Sequence, residues 1–258
     1  MRLVSWNVNG IRSVAAKGFL HWLASERPDV LGIQEMKAKE DQIPAELTSG
    51  LEAAGYTVHW FPAERPGYSG TATFSRKPPK SVRRGMGVAE FDREGRTLVT
   101  DHGDFLFVNC YFPNGKSGQE RLDYKMRFKE AIADFCDGLR KKEKREVVLC
   151  GDVNTAHREI DLARPAENVE VSGFMPLERA RIDRFLARGW VDSFRLVHPD
   201  QKDAYSWWSF RSGARKRNVG WRIDYHFVSE GLKGSVKEAW IKPEIQGSDH
   251  CPVGLVLS

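Results

Sequence analysis

Short apolar segments, rich in β-branched and aromatic residues, recur ten times along the chain and constrain its fold more than any other feature. Their lengths suit strands and are too short for most helices. The ten candidate strands cover residues 3–6, 30–33, 56–61, 71–74, 98–100, 105–111, 147–150, 223–228, 236–241 and 253–257. Between them, apolar residues spaced by three or four predict helices over 19–24, 119–142 and 176–186. Many strands interleaved with few helices indicate an α/β layered fold in which two sheets pack together.

The chain reads as one domain spanning residues 1–258, because no Ser/Gly tract, linker or tandem period interrupts it. Hydrophobic residues at 41% and charged residues at 29% fit a globular protein. No apolar run approaches the roughly 18 residues that a membrane span needs, so we expect no membrane association. The first residues read as a strand and not as a signal peptide, and the four cysteines are far apart without a C-x-x-C pair. We therefore expect a cytoplasmic protein without a zinc site.

Carboxylates and amides cluster at the ends of six of the candidate strands. These polar positions are Asn7, Asn9, Gln34, Glu35, Tyr111, Asn114, Asp152, Asn154, Asp224, Asp249 and His250. At any single strand, Asn or Asp would simply mark the following turn. Six recurrences with almost no Lys or Arg among the terminal residues favour a shared polar pocket at a sheet edge instead.

An oxygen-rich pocket of this kind suits Mg²⁺ or Mn²⁺, which bind one or two carboxylates and keep several waters. The set holds more acids than one ion needs, so some should act as a base or orient a neighbour: Glu35, Asp152, Asp224 and Asp249. His250 follows Asp249 directly and could be oriented by Asp224. A carboxylate-held imidazole stabilises negative charge or relays a proton, although a histidine alone near a strand start would be read as structural.

Basic charge is unevenly distributed, although 40 Lys and Arg against 35 Asp and Glu give a net charge of only +5. Residues 204–223 contain no acid. That stretch interleaves five cations with five aromatic residues: Arg211, Arg215, Lys216, Arg217 and Arg222 with Tyr205, Trp207, Trp208, Phe210 and Trp221. Cations pair with phosphates, and aromatic rings stack on bases or fill the gap left by a missing base, although Trp208 could equally belong to the core. These features favour a metal-dependent phosphoesterase that acts on nucleic acid.

Three other nucleotide-binding or hydrolytic motifs fail on inspection. The segment Gly115-Lys116-Ser117 resembles the end of a phosphate-binding P-loop, but the first glycine of that loop would fall on Cys110. The dinucleotide fingerprint that Gly85 would begin lacks its third glycine. Around Ser69, Thr71 occupies the last glycine position of a nucleophile elbow.

An ordered set of motifs resembles the exonuclease III-type apurinic/apyrimidinic endonucleases of base-excision repair, within the endonuclease/exonuclease/phosphatase superfamily. The motifs are SWNVNG at 5–10, QEMK at 34–37, GYSGT at 67–71, YFPN at 111–114, GDVNTAH at 151–157, NVGWRIDY at 218–225 and GSDHCP at 247–252. Each alone is weak, but the ordered set covers essentially the whole chain. The resemblance implies a four-layered α/β sandwich, with two packed mixed β-sheets flanked by helices and an active site at one edge of the sheets.

The resemblance also implies roles for individual residues. For the metal they are Glu35 as principal ligand, with Asn9 and Asp249 nearby. For catalysis, the resemblance implies that Asp152 orients or deprotonates the attacking water, assisted by Asn154 and Asn7. Tyr111 would lie at the scissile phosphate or leaving oxygen, and Asp224 would pair with His250. For DNA binding, Trp207 and Trp221 would form the walls of a pocket for an extrahelical abasic sugar, and Arg211 would insert beside the lesion. The implied contacts to the DNA backbone are Arg12, Lys37, Tyr68, Ser69, Asn114 and Arg121.

The implied reaction is Mg²⁺-dependent hydrolysis of the phosphodiester 5′ to an abasic site in double-stranded DNA, with Mn²⁺ as a possible substitute, by a monomer. It leaves a 3′-hydroxyl and a 5′ deoxyribose phosphate, and 3′→5′ exonuclease and 3′-phosphodiesterase activities accompany it. The alternatives are a general nuclease or other phosphoesterase of the superfamily, and a catalytically silent DNA-binding relative. Asn9 departs from the pattern, since several relatives carry Asp there, and His226 replaces a common aromatic residue without an evident role.

Overall fold

A computed structural model describes residues 1–258 and contains twelve strands in two six-stranded sheets. The first sheet comprises β1 (Arg2–Asn7), β2 (Val30–Gln34), β3 (Thr57–Phe61), β4 (Thr71–Ser75), β11 (Val236–Ile241) and β12 (Val253–Leu257), in the order β11-β12-β1-β2-β4-β3. The second comprises β5 (Val82–Arg84), β6 (Thr97–Asp101), β7 (Phe105–Cys110), β8 (Glu146–Asp152), β9 (Trp190–Asp192) and β10 (Asp224–Ser229), in the order β5-β6-β7-β8-β10-β9. Each sheet has one central parallel pair, β1/β2 or β7/β8, and its other pairs are antiparallel.

Seven helices accompany the sheets: α1 (Ile11–Ala15), α2 (Phe19–Glu26), α3 (Ala45–Ala53), α4 (Ala89–Asp92), α5 (Gln119–Glu143), α6 (Pro176–Ala187) and α7 (Ser193–Val197). Buried side chains of α1, α2 and α3 pack on the first sheet, and those of α4, α5 and α6 pack on the second. A third apolar cluster, which includes Leu3, Phe107 and Val148, lies between the sheets. The order helix, sheet, sheet, helix confirms the predicted four-layered α/β sandwich.

A buried amide network joins the two sheets. Asn109 on β7 donates through Nδ2 to the carbonyls of Ile33 (3.1 Å) and Ala72 (2.7 Å) in the opposite sheet. Gln34 Nε2 donates to Asn109 Oδ1 at 2.7 Å. Because such bonds require specific partners, the network fixes how one sheet sits on the other. His226 is also buried, on β10, and burial lowers its pKa to about 3, so its imidazole is neutral.

The ten predicted strands and three predicted helices all occur, with ends that differ by at most two residues. Strands β5 and β9 were not predicted, because three residues at a sheet edge show no period. The four helices not predicted are α1, α3, α4 and α7, three of which have only four or five residues. In α3 only Leu47 and Leu51 are buried, which leaves too little apolar periodicity. No helix combines the length and apolar character needed to cross a membrane.

Strand direction gathers the polar strand ends at one edge. Parallel β1 and β2 end side by side at Asn7 and Gln34. In the other sheet β10 runs antiparallel to β8, so that its first residue, Asp224, is the cross-strand partner of the last residue of β8, Asp152. Strand β12 is antiparallel to β1 and begins shortly after His250. Ends that are remote in sequence therefore meet where the two sheets lie edge to edge.

Candidate active site

The buried His250 lies between two carboxylates. Its Nδ1 is 2.9 Å from Asp224 Oδ2, which also accepts a hydrogen bond from the Ser206 hydroxyl at 2.7 Å. On the other side of the ring, Nε2 lies 3.8 Å from Asp152 Oδ2. Burial opposes the charged imidazolium, but Asp224 and Asp152 outweigh it and raise the pKa of His250 to about 10. His250 is therefore a cation at neutral pH, in the wall of the cleft.

Asp152 is 1% exposed and is the last residue of β8, where the following turn begins. Its Oδ1 accepts from the backbone N–H of Asn154 at 2.8 Å, and its Oδ2 accepts from Asn7 Nδ2 at 3.0 Å. Burial raises the pKa of Asp152 to about 7; His250 opposes this shift, while Asp224 and Glu35 add to it. A carboxyl with a pKa near neutrality is suited to accept a proton at physiological pH.

Glu35 is the second carboxylate of the cluster and remains ionised. Asn7 Nδ2 donates to Glu35 Oε1 at 2.8 Å, so one amide bridges Glu35 and Asp152. Lys37 Nζ lies 2.6 Å from Glu35 Oε2 and also donates to Asn9 Oδ1. Burial favours the neutral acid, but Lys37 and the Asn7 hydrogen bond lower the pKa of Glu35 below its ordinary value.

Backbone turns of unusual conformation follow the strands of the site. Asn9, Glu35 and Asn154 have φ values of 48°, 52° and 53°, in the left-handed region that non-glycine residues seldom occupy. Two of these turns are closed by side chains, since Asn7 Oδ1 accepts from Asn9 N–H at 3.0 Å and Asp152 Oδ1 accepts from Asn154 N–H. Such conformations cost on the order of 1 kcal/mol each and are concentrated at functional sites. The polar strand ends are thus held in place, although each would pass as an ordinary turn in the sequence.

The chemistry of the cluster fits a divalent cation. Glu35, Asp152 and His250 each offer a ligand atom, and these atoms lie within 4.8 Å of one another. Two carboxylates so close together, one buried and one partly buried, repel each other and gain from a bound cation, and hard oxygen donors suit Mg²⁺ or Mn²⁺. Of the predicted metal residues, Glu35 belongs to this cluster. The other two lie beside it and bind each other, with Asn9 Nδ2 donating to Asp249 Oδ1 at 2.9 Å.

An aromatic recess adjoins the acid cluster within the same cavity, whose volume is about 170 Å³. Its wall contains Trp207 and Trp221, whose ring centroids are 6.3 Å apart in an edge-to-face arrangement. Trp207 Nε1 donates to Asp249 Oδ2 at 3.0 Å, and Phe174 supports Trp221 from behind at 6.4 Å. Burial favours the neutral carboxyl, but His250, Trp207 and Asn9 lower the pKa of Asp249. An apolar recess therefore opens directly against the groups able to act on a phosphate.

Tyr111 lines the cavity as a neutral hydrogen-bond donor. Burial, followed by the charge of Glu35, raises the pKa of Tyr111 well above its ordinary value. The buried Arg96 lies against its ring at 4.6 Å and donates to its carbonyl oxygen at 2.9 Å. Arg96 thereby holds both the ring and the backbone of Tyr111 in position.

Comparison with known proteins settles the family. The model of the Endonuclease/Exonuclease/phosphatase family matches residues 4–250, which include the entire acid cluster. The chain belongs to this family.

Relatives of known name cover the whole chain. An exodeoxyribonuclease of Bacillus subtilis (strain 168) is 46% identical over 259 residues, which span both proteins completely. The DNA repair nuclease APEX1 of Danio rerio is 39% identical over 259 residues, covering all of this chain and 82% of the relative. The structure of an AP endonuclease from Archaeoglobus fulgidus matches with a TM-score of 0.87 and 26% identity, covering 100% of this chain and 99% of that one. This endonuclease/exonuclease/phosphatase protein is therefore a hydrolytic phosphodiesterase and a DNA repair nuclease, and its family is metal-dependent.

Of the residues predicted to contact DNA, several line the cavity of this endonuclease/exonuclease/phosphatase protein or a groove beside it. Tyr68, Asn114 and Arg121 line an adjoining groove, where the Tyr68 hydroxyl accepts hydrogen bonds from Arg121 and Arg96. Lys37 lies beside Glu35. Arg12 is exposed on α1, and Arg211 is exposed beside Phe210, which is 73% exposed. Ser69 is 1% exposed and its carbonyl accepts from Lys37 N–H at 2.9 Å, so its contact with DNA stays a prediction.

The acid-free stretch 204–223 is less available to DNA than its sequence suggests. Arg222 is fully buried and pairs with Asp161 and Asp192. Arg215 lies 4.6 Å from the ring of the buried Trp208 and donates to three backbone carbonyls. These two cations stabilise the fold, whereas Arg211, Lys216 and Arg217 remain exposed. The partners of Arg222 lie elsewhere in the chain, and for this reason a local count of charge overstated the basic surface.

Sequence reasoning missed four residues of the site. Ser206 orients Asp224, Phe174 supports Trp221, Lys116 lies 5.0 Å from the Trp207 ring, and Lys125 lines the cavity. Only Lys125 carried a recognisable signal, because it occupies the buried face of the amphipathic helix α5. The other three are ordinary loop residues, whose positions depend on the fold.

Proposed function

We propose that this protein is a Mg²⁺-dependent endonuclease that cleaves the phosphodiester 5′ to an abasic site in duplex DNA. The products would be a 3′-hydroxyl and a 5′ deoxyribose phosphate. The observation that carries the proposal is the continuity of the tryptophan-lined recess with the cluster of Glu35, Asp152 and His250 in a single cavity. The names of the relatives, a DNA repair nuclease and an AP endonuclease, support it.

The recess accounts for selection of the lesion. A nucleotide without its base has lost stacking and pairing, so turning it out of the helix costs less than flipping an intact nucleotide. The edge-to-face pair of Trp207 and Trp221 forms an apolar wall of the cavity, against which an extrahelical sugar can pack directly beside the acid cluster. Phe210 and Arg211, which follow Trp207 closely in the chain, are exposed, and we expect them to enter the duplex and keep it open.

The chemistry assigned to the residues is hydrolysis by in-line attack of water. Asp152 accepts the proton of the attacking water, and the His250 cation and the Tyr111 hydroxyl stabilise charge on the phosphate oxygens. Asn7 and Asn154 act by orienting Asp152, since their amide nitrogens are bound to carboxylate or carbonyl oxygens within the protein. A divalent cation held chiefly by Glu35 would supply further electrostatic stabilisation of the phosphate.

The pH dependence of incision follows from the proton-accepting role of Asp152. We expect kcat/KM to rise about tenfold per pH unit at acidic pH and to level off near pH 7, where Asp152 loses its proton. A bound cation would move this limb to lower pH by favouring the carboxylate. Initial incision rates from pH 5 to 9, at several Mg²⁺ concentrations, test the prediction. A rate independent of pH over this range would exclude Asp152 as the base.

Substitutions of Trp207 test recognition of the lesion by the recess separately from bond cleavage. We expect Trp207→Ala to weaken binding of an abasic duplex by a factor on the order of 10, because one wall of the recess is lost. Trp207→Phe keeps an aromatic wall but removes the hydrogen bond to Asp249, so it should retain most of the affinity. Equilibrium binding to abasic and intact duplexes measures both effects. Equal losses for both duplexes in Trp207→Ala would show that the residue does not recognise the lesion.

One experiment tests the proposed function as a whole. Purified protein is incubated with labelled duplexes, intact or with a single abasic site, with and without Mg²⁺. We expect Mg²⁺-dependent incision only 5′ to the abasic site. Equal cutting of both duplexes would indicate a general nuclease, and binding without cutting would indicate a silent relative.

A second activity is favoured by the 46% identical relative, which is named an exodeoxyribonuclease. We infer that the same acid cluster also performs 3′→5′ exonuclease and 3′-phosphodiesterase reactions, since these cleave the same type of bond. Degradation of a recessed 3′ end by the wild type, lost together with abasic incision in the Asp152→Asn variant, would support a shared site.

We also propose that the protein acts as a monomer in the cytoplasm. All residues of the cavity come from one chain, and all four cysteines are free and buried, which suits a reducing compartment. Light scattering of the protein with and without DNA measures its oligomeric state.

A further inference from the structure

Two fully buried charges lie beneath the cavity. Lys125 comes from α5 and Glu178 from α6, and neither side chain is exposed to solvent. Lys125 Nζ donates to Glu178 Oε1 and, at 2.7 Å, to the carbonyl oxygen of Asn154. Lys125 therefore holds the backbone of the turn that carries Asp152.

Glu178 holds the opposite wall of the cavity. Its Oε2 accepts from the backbone N–H groups of Gly173 (2.6 Å) and Met175 (3.2 Å), and its Oε1 accepts from the Ser172 hydroxyl (3.2 Å). This segment, residues 172–175, supports the Trp221 ring. Phe174 packs edge-to-face on Trp221, and at Gly173 even an added Cβ would lie only 3.1 Å from that ring.

The pair is poorly explained by stability alone. A buried ion pair seldom stabilises a fold more than apolar side chains of similar volume, whereas removal of one partner leaves an uncompensated charge. Here the two partners also bind opposite walls of one cavity. Lys125 donates to the carbonyl oxygen of Asn154 on one side, and Glu178 accepts from residues 172–175 on the other.

We propose that Lys125 and Glu178 are a positioning pair that fixes the aromatic wall relative to the catalytic turn and so determines selectivity for an abasic sugar. This inference rests on the proposed function. Neither residue takes part in bond cleavage. Their effect is on the geometry of the recess, where a displacement of about 1 Å can change rates by a factor on the order of 10².

The test compares binding of two duplexes in EDTA, one intact and one with a tetrahydrofuran analogue of the abasic site. We expect Lys125→Met and Glu178→Gln to weaken binding of the analogue about tenfold and to leave binding of the intact duplex unchanged. In the presence of Mg²⁺, kcat for abasic incision should also fall in both variants. Lys129→Met is the matched control: Lys129 is buried one turn further along α5, where it binds Thr155 Oγ1 and the Glu178 carbonyl, and it does not line the cavity.

Thermal unfolding of all variants distinguishes positioning from a merely structural role. The inference holds if the preference for the analogue falls in Lys125→Met and Glu178→Gln but not in Lys129→Met, at comparable losses of Tm. It is overturned if the first two variants lose Tm and keep the wild-type preference. Should Lys125→Met fail to fold, the nearly isosteric Glu178→Gln decides alone. A wild type that binds both duplexes equally would instead refute the proposed function, and the inference with it.

Discussion

Asp152→Asn is expected to lower kcat for abasic incision by a factor on the order of 10² or more, with little change in DNA affinity. An amide of the same shape cannot accept a proton from water at this position. The substitution is nearly isosteric within the buried turn, so the fold should persist. The rate of incision of an abasic duplex under single-turnover conditions measures the effect on catalysis, and equilibrium binding in EDTA measures the effect on DNA affinity.

Asp137→Asn is the matched control for Asp152→Asn. Asp137, on α5, is also a buried carboxylate, but it lies outside the cavity and accepts from Nε1 of Trp190 on β9. Its replacement should leave kcat unchanged. If Asp152→Asn turned over at a near-normal rate, the assignment of Asp152 as the proton acceptor would be wrong.

Removal of divalent metal is expected to suppress incision by a factor on the order of 10² or more, and added Mg²⁺ or Mn²⁺ should restore it. Glu35 and Asp152 already place two carboxylates within 4.8 Å, and a phosphodiester adds further negative charge. His250 belongs to that cluster and Lys37 is already paired with Glu35, so additional positive charge is needed to stabilise the transition state. Incision in EDTA, followed by titration with each metal, tests this requirement.

Glu35→Gln tests whether Glu35 binds the divalent metal that incision requires. We expect this variant to need a higher Mg²⁺ concentration for half-maximal activity and to bind Mn²⁺ more weakly in a direct calorimetric titration. Glu167→Gln, which alters an exposed glutamate paired with Arg164, should retain the wild-type response. Full activity of the wild type in EDTA would refute a catalytic metal.

The membership of the site was largely predictable, because it depends on strand ends. Asn7 and Asp152 end apolar strands and Glu35 directly follows one, and parallel neighbours end at the same edge of a sheet. The pairing of His250 with Asp224 was also foreseen and is observed at 2.9 Å. The sequence did not predict that the Asn7 side chain donates to both Glu35 and Asp152.

The supporting contacts were not predictable, because they join segments remote in sequence. Arg222 and Asp161 are 61 residues apart, and Lys125 and Glu178 are 53 apart. Within its own stretch Arg222 resembled a ligand for phosphate, and the position of Lys125 on the buried face of α5 did not reveal its partner on α6. Packing of α5 against α6 and of the loops against β10 gave these side chains their partners.

The sequence by itself determined the alternation of strands and helices, the polar strand ends and the ordered motifs that place the chain in its family. These features depend on periodicity and on the order of residues, which act over a few positions and are legible without a fold. Only the tertiary structure decided which cations stabilise the fold and which face DNA, why Asp152 has a pKa near 7, and which buried pair lies beneath the recess. Burial and charge interactions depend on distance in space, and that distance exists only once remote strands and helices have packed together.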